Sequence, residues 1–172
     1  ELHNGEWVAY AECPERFLGL QAHFPDWQPA RDFGMAPLLA VHDARYLDFL
    51  ARAHADWLAA GRSGDAIGYA FPVVGRRPLT LGRIDADLGA FSFDASTPIA
   101  AGTWDAAWWG AQTALTALDA VLAGAPAAFA ACRPPGHHAG RDYMGGYCYL
   151  NNAAIAARAA QAQGHARVAI LD

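Results

Sequence analysis

Two adjacent histidines lie in the stretch of this chain that is richest in chemical groups. His137 and His138 follow a Pro-Pro-Gly run, and the residues around them contain too much proline and glycine for a helix or a central strand. A loop therefore presents both imidazoles. Because the ordinary pKa of histidine lies near neutrality, a fixed pair predicts proton transfer or metal binding. The alternative is a pair of loop histidines without chemistry.

The segments that flank this loop predict two parallel strands. Residues 127–132 form a short apolar run of the kind found in buried parallel strands, and residues 167–172 form a second one that ends in Asp172. A strand, loop, helix and strand in this order make a βαβ unit, whose strands end at the same edge of the sheet. We therefore expect Asp172 to converge there with His137 and His138, where a carboxylate can orient an imidazole.

Apolar periodicity and capping residues predict three helices. They cover residues 41–60, residues 103–122, and a segment from Asn151 or Asn152 to Gln163. Thr103 is the predicted N-cap of the second helix, and Gly124 and Gly164 are the expected stops of the last two. In and beside the first helix, His42 and His54 are interpreted as packing residues.

Three runs carry a resemblance to a known family. Arg-Pro-Pro-Gly-His-His-Ala, the following Gly-Gly-Tyr-Cys-Tyr-Leu-Asn-Asn-Ala and the final Val-Ala-Ile-Leu-Asp resemble the histone deacetylase superfamily of zinc-dependent amidohydrolases. Residues 41–50, 71–73 and 102–107 are similar to one branch of it, the bacterial acetylpolyamine amidohydrolases. The resemblance spans nearly the whole sequence.

The resemblance implies an α/β fold in three layers, with a mostly parallel central sheet and helices on both faces, as in arginases and deacetylases. Members of the family are roughly twice as long as this chain. Residues 1–172 are therefore expected to be the N-terminal part of a single deacetylase-like domain, with only the first half of the fold present. In the family the zinc ligands and a catalytic tyrosine come after the position that matches Asp172.

The resemblance also implies roles for individual residues. His138 is expected to be the chief general base and acid, with His137 as an electrostatic partner oriented by Asp172. Asp172 is a possible ligand of a structural K⁺, partly through its backbone carbonyl. Gly146 matches a glycine whose carbonyl meets the substrate, and Tyr147 matches an aromatic residue that lines the substrate tunnel.

The segment 61–98 corresponds to an insertion that, in the acetylpolyamine branch, lies at a dimer interface and the tunnel mouth. We therefore expect a homodimer. The segment carries four carboxylates that can attract ammonium groups: Asp65, Asp85, Asp87 and Asp94. Asp85 is the best candidate for binding a cationic substrate and Glu1 is the second. The alternative for each of these residues is a solvated loop charge.

Composition limits the possible partners. A formal net charge of −5 argues against nucleic acid, which needs a basic surface, and favours a small cationic molecule. No apolar run approaches the roughly 18 residues that a membrane-spanning helix requires. The three cysteines are odd in number and lack Cys-x-x-Cys spacing, so reduced thiols in a cytoplasmic protein are expected.

The sequence therefore predicts an enzyme that uses Zn²⁺, one per active site, to remove acetyl groups from acetylated polyamines or related small amines. Two alternatives remain open. One is a protein deacetylase that acts on acetyl-lysine. The other is a non-catalytic member that only binds acetylated ligands.

Overall fold

Helices dominate the computed structural model, which describes residues 2–3, 5–10, 13–24, 26–73, 75 and 80–172. Near the start, β1 (Leu2–His3) and β2 (Glu6–Trp7) form a short antiparallel pair. The helices that follow in the described residues are α1 (Pro14–Gln21), α2 (Ala36–Leu39), α3 (Ala44–Ala59), α4 (Ile84–Ala90), α5 (Thr103–Leu122) and α6 (Asn152–Ala162).

Helix α3 forms the centre of the core. Asp43 caps it, since its carboxylate accepts a hydrogen bond from the Arg45 N–H at 2.9 Å. The helix therefore begins three residues later than the predicted 41–60, because the extended backbone of Asp43 interrupts the helical path after α2. Its buried face contains Tyr46, Leu47, Phe49, Leu50, Ala53 and Trp57.

Helix α5 has the predicted bounds but a different cap. Gly102 occupies the N-cap position, and Thr103 lies in the first turn, where its hydroxyl accepts from the Ala100 N–H at 2.8 Å. Ala111 and Leu115 are buried, while Trp104 and Trp108 pack against the core. No helix in the described part of the chain, α5 included, is long and apolar enough to cross a membrane.

Helix α6 packs against α5 and starts where the histidine loop ends. Of the two predicted caps, Asn151 has this role, because its side-chain oxygen accepts from the Ala154 N–H at 3.0 Å. The helix stops at Ala162, and Gly164 follows with a φ of +98°, the left-handed conformation that glycine favours after a helix.

The expected parallel sheet is not formed by the described residues. Neither 127–132 nor 167–172 is a strand, and Phe129, Ile170 and Leu171 are exposed. An apolar run predicts burial, but a strand also needs a neighbouring strand about 4.8 Å away to complete its hydrogen bonds. The described residues supply no such neighbour to either segment.

The described residues of the segment 61–98 contain a closing pair of hydrogen bonds and a short helix. Ala66 and Ile99 exchange two backbone hydrogen bonds of 2.9 Å, which close the base of the segment, and α4 lies within it. Gly89 of α4 fits closely against the preceding chain, since a Cβ there would lie 1.7 Å from the Ala70 carbonyl oxygen. The two ends of the segment are therefore joined at its base, and its described residues from Ala70 to Gly89 include a close backbone contact.

Candidate functional site

The two histidines are in contact and open to solvent. The ring centroids of His137 and His138 lie 4.2 Å apart with planes inclined by 60°. Both residues are exposed, and the side chain of His137 is 48% accessible. The pair can therefore meet a substrate or a water molecule.

The backbone of the histidine loop is fixed by its neighbours. Gly136 runs against the start of α6, because a Cβ there would lie 2.3 Å from the Leu150 oxygen. The side-chain amide of Asn151 donates to the Ala139 oxygen at 3.0 Å and to the His137 oxygen at 3.5 Å. Further along the chain, the Asp43 N–H donates to the Arg141 oxygen at 2.9 Å. The imidazoles are thus exposed, whereas the backbone of the loop that carries them is fixed by hydrogen bonds.

Asp172 lies beside His137. Nδ1 of His137 and Oδ1 of Asp172 are 4.0 Å apart, and both side chains are largely exposed. This distance is too long for a hydrogen bond, so the two side chains are neighbours without a direct bond.

The residues Gly146 and Tyr147 form a strained turn next to the pair. Gly145 and Cys148 exchange backbone hydrogen bonds of 3.1 and 3.0 Å across it, which makes it a two-residue hairpin turn. The φ angles of Gly146 and Tyr147 are +55° and +67°. Tyr147 is the only non-glycine residue with a positive φ in the described ranges. For such a residue the left-handed conformation costs about 1–2 kcal/mol.

Two side chains from the segment 61–98 hold this turn. The carboxylate of Asp94 accepts from the Gly146 N–H at 2.6 Å, and the Thr97 hydroxyl accepts from the Tyr147 N–H at 3.0 Å. Asp94 also accepts from the Ser96 N–H at 3.1 Å. The sequence had suggested Asp94 only as one of several acidic loop residues. An Asp two residues before Ser96 was a local sign of a turn, but nothing pointed to Gly146 as its partner.

The Gly146–Tyr147 turn also packs against the side chain of His138. A Cβ added to Gly146 would lie 2.5 Å from Cδ2 and 2.9 Å from Cγ of His138. The imidazole therefore rests directly on the glycine backbone. The ring of Tyr147 meets the ring of Tyr10 edge to face at 5.3 Å. His138, Gly146 and Tyr147 thus form one continuous surface.

Asp85 lies elsewhere and already has cationic partners. Its carboxylate accepts from Arg62 at 2.9 and 3.0 Å and from Arg83 at 3.0 Å, and its side chain is only 13% exposed. It lines a cavity between α3 and α4 whose lining includes neither His137 nor His138. Glu1, the second acidic candidate, lies outside the described residues.

The described residues do not themselves form a metal site. No group of three or more histidine, cysteine, aspartate or glutamate side chains is arranged to hold an ion within the described ranges. The described residues therefore supply no complete set of zinc ligands. A potassium site at Asp172 stays a prediction.

The burial of His42 was predicted from the sequence, but its hydrogen bond was not. This side chain is 1% exposed, and its Nε2 accepts from the Asn151 N–H at 3.0 Å. The sequence predicted a packing residue, because nothing local distinguishes a buried histidine that accepts a distant hydrogen bond from one that only fills space.

We predict that Gly146→Ala destabilises the protein more than Gly64→Ala. Gly64 has a φ of +70° and no atom within 4 Å of an added Cβ, so its substitution measures the backbone strain alone, about 1–2 kcal/mol. Gly146→Ala adds the contact with His138 and is expected to cost about 1–3 kcal/mol more. Denaturant unfolding gives the free energies, and the His138 ring signals in an NMR spectrum should shift only in Gly146→Ala. Equal losses of unfolding free energy in the two variants, with unchanged His138 ring signals, would contradict the contact between Gly146 and His138.

Comparison with known proteins identifies the family. The histone deacetylase domain matches residues 11–172 of the chain. Acetylpolyamine amidohydrolase 1 of Pseudomonas aeruginosa is 57% identical over 146 residues, which cover 83% of this chain and 42% of that protein. The acetylpolyamine amidohydrolase of Mycoplana ramosa is 42% identical over 177 residues, with coverages of 100% and 52%.

A solved structure gives the same result for the fold. The crystal structure of an acetylpolyamine aminohydrolase from Burkholderia pseudomallei superposes with a TM-score of 0.85 at 46% identity, covering 93% of this chain and 48% of that one. The chain spans about half the length of the curated relatives that it matches. The resemblance inferred from the histidine motif is confirmed, and the chain belongs to the histone deacetylase family.

Proposed function

We propose that the whole protein removes acetyl groups from acetylated polyamines or related small acetylated amines by metal-dependent hydrolysis. The observation that carries this proposal is the contacting pair of His137 and His138, exposed on a fixed loop with His138 against Gly146. The names of the relatives from Pseudomonas aeruginosa and Mycoplana ramosa support the substrate class. The proposed location is the cytoplasm, a reducing compartment in which thiols such as those of Cys13, Cys132 and Cys148 persist.

The histidines would handle the protons of this reaction. When bound, zinc polarises an amide carbonyl and lowers the pKa of water. A ring nitrogen of His138 would accept a proton from the attacking water and then donate it to the leaving amine nitrogen, which gives acetate and a free amine. His137 would stabilise the charge on His138 and would itself be oriented by Asp172. The zinc ligands would come from residues that follow Asp172 in the whole protein, and Asp172 would also serve a structural K⁺.

The whole domain would complete the sheet. We propose that 127–132 and 167–172 pair as parallel strands in a three-layer domain with helices on both faces. Their exposed apolar side chains Phe129, Ile170 and Leu171 support this, because strands of a parallel sheet are covered on both faces. The superposition with a structure about twice as long supports it as well.

The segment 61–98 would lie at the mouth of the substrate tunnel and at a homodimer interface. The hydrogen bonds from Asp94 and Thr97 to the Gly146–Tyr147 turn support the first part, since they bring one end of the segment to the candidate site. Asp85 is the proposed carboxylate for a substrate ammonium. Its ion pairs with Arg62 and Arg83 would have to be rearranged before it could attract a cation.

We predict that the whole protein loses deacetylation when its divalent metal is removed. The imidazoles alone do not polarise an amide sufficiently, so chelation should abolish acetate release and added zinc should restore it. Acetate is measured before chelation, after it, and after zinc is returned. Full activity in protein shown by elemental analysis to be metal-free would contradict the proposal.

A second prediction separates the roles of the two histidines. His138→Ala should lower kcat by about 10²-fold or more, the range for a lost general acid and base. His137→Ala should lower kcat less. His165→Ala, which changes an exposed histidine after α6, is the control and should leave kcat unchanged. A larger fall in kcat for His137→Ala than for His138→Ala would indicate that the two roles are reversed.

A third prediction concerns the substrate class. The value of kcat/KM for acetylputrescine should exceed that for an acetyl-lysine peptide, and Asp85→Asn at low salt should lower the first by about threefold to tenfold. Asp119→Asn makes the same charge change on α5, outside the segment 61–98, where Asp119 pairs with Arg31, and is the matched control. A better peptide substrate would indicate a protein deacetylase. Equal effects of the two variants would remove Asp85 from the site.

A further inference from the structure

His42 is a buried histidine in a fixed protonation state. It follows α2, immediately before the cap of α3, and its Nε2 accepts the Asn151 N–H at 3.0 Å. Only a ring nitrogen without a proton can accept, so the proton of neutral His42 must be on Nδ1. Burial lowers the pKa of His42, and the backbone carbonyls of Arg141 and Gly140 oppose this shift in part, although Nδ1 makes no hydrogen bond of ordinary geometry among the described residues.

Asn151, whose N–H donates to His42, also forms hydrogen bonds with the histidine loop. The side-chain amide of Asn151 donates to the carbonyl oxygens of His137 and Ala139, the residues on either side of His138. The side-chain oxygen of Asn151 accepts from Ala154 and so starts α6. The hydrogen bond that His42 accepts from the Asn151 N–H therefore fixes the position from which Asn151 reaches both neighbours of His138.

The surrounding contacts point to the same connection. The Tyr46 hydroxyl, on the helix that follows His42, donates to the Tyr149 oxygen at 2.6 Å. The Asp43 N–H donates to the Arg141 oxygen at 2.9 Å. The beginning of α3 thus contacts the loop on both sides of the Gly146–Tyr147 turn, and His42 directly precedes Asp43, the first of the two contacting residues.

We infer that His42 is a positioning residue, which sets the place of the His137–His138 pair by accepting the Asn151 N–H and so orienting the Asn151 amide. The effect on catalysis rests on the proposed function, whereas the effect on the loop does not. His42 touches neither substrate nor the reacting atoms and acts through Asn151. A histidine that only fills the core would not need an unprotonated Nε2 facing Asn151.

The test compares three variants of the whole protein. His42→Phe keeps a flat ring and removes the acceptor. His42→Gln places a carbonyl oxygen near the position of Nε2 and is the rescue. Gln112→Leu is the matched control, because it also removes buried hydrogen bonds, here to Phe33 and Gly34, away from the loop.

Two measurements are made on each variant. In His42→Phe, amide hydrogen exchange should become at least about fivefold faster in residues 136–151, as expected for one lost buried hydrogen bond, but stay unchanged in α5. The kcat for acetate release should fall by about tenfold to a hundredfold, the effect of a displaced catalytic group, with little change in KM. His42→Gln should recover most of both losses, and Gln112→Leu should show neither.

Other results would overturn the inference. If His42→Phe behaves like Gln112→Leu in both measurements, His42 is a core-packing residue only. If His42→Phe does not fold, His42→Gln is compared with wild type, and a protonated Nε2 in a proton–nitrogen NMR spectrum of the wild type overturns the inference. A wild type that releases no acetate contradicts the proposed function, and hydrogen exchange and the tautomer then still decide the role of His42.

Discussion

The loop that carries the histidines must satisfy its backbone polar groups without regular secondary structure. Its glycines and prolines prevent a helix or a ladder, and an unpaired buried N–H or C=O costs free energy comparable to a lost hydrogen bond. Side chains from distant segments supply the partners. Asn151 is bound by His42, Tyr149 by Tyr46, and Gly146 by Asp94. The site therefore depends on polar contacts that α3 and the segment 61–98 provide.

This arrangement separates the exposed histidine pair from the buried side chains that support its loop. His137 and His138 are exposed, whereas His42 and Tyr46 are at most 1% exposed. Burial raises the pKa of Tyr46 and lowers the pKa of His42, so both stay neutral near neutral pH and keep their hydrogen-bonding roles. The backbone strain at Tyr147 is also supported by distant side chains, because the hydrogen bonds from the turn to Asp94 and Thr97 offset it.

The features that the sequence predicted are local. The bounds of α5 and the cap of α6 follow from apolar periodicity and a capping residue within one turn, and the histidine pair follows from a contiguous motif. The features that it missed are not local. His42 lies 109 residues from Asn151, and Asp94 lies 52 residues from Gly146. The two expected strands are not formed within the described residues for a related reason, since an apolar run specifies burial but not which segment will pair with it.

The hydrogen bond between Asp94 and Gly146 joins two parts of the proposed function. Asp94 belongs to the segment proposed to select the substrate, and Gly146 supports the imidazole proposed to transfer the proton. Because the ring of His138 lies within contact distance of the Gly146 backbone, a displacement of the segment at Asp94 would be transmitted to the ring. Protein interiors are close-packed and transmit such shifts. In the proposed function, substrate selection and proton transfer would therefore be coupled through this turn, and the segment 61–98 would be constrained at its Asp94 end more than an ordinary surface loop is.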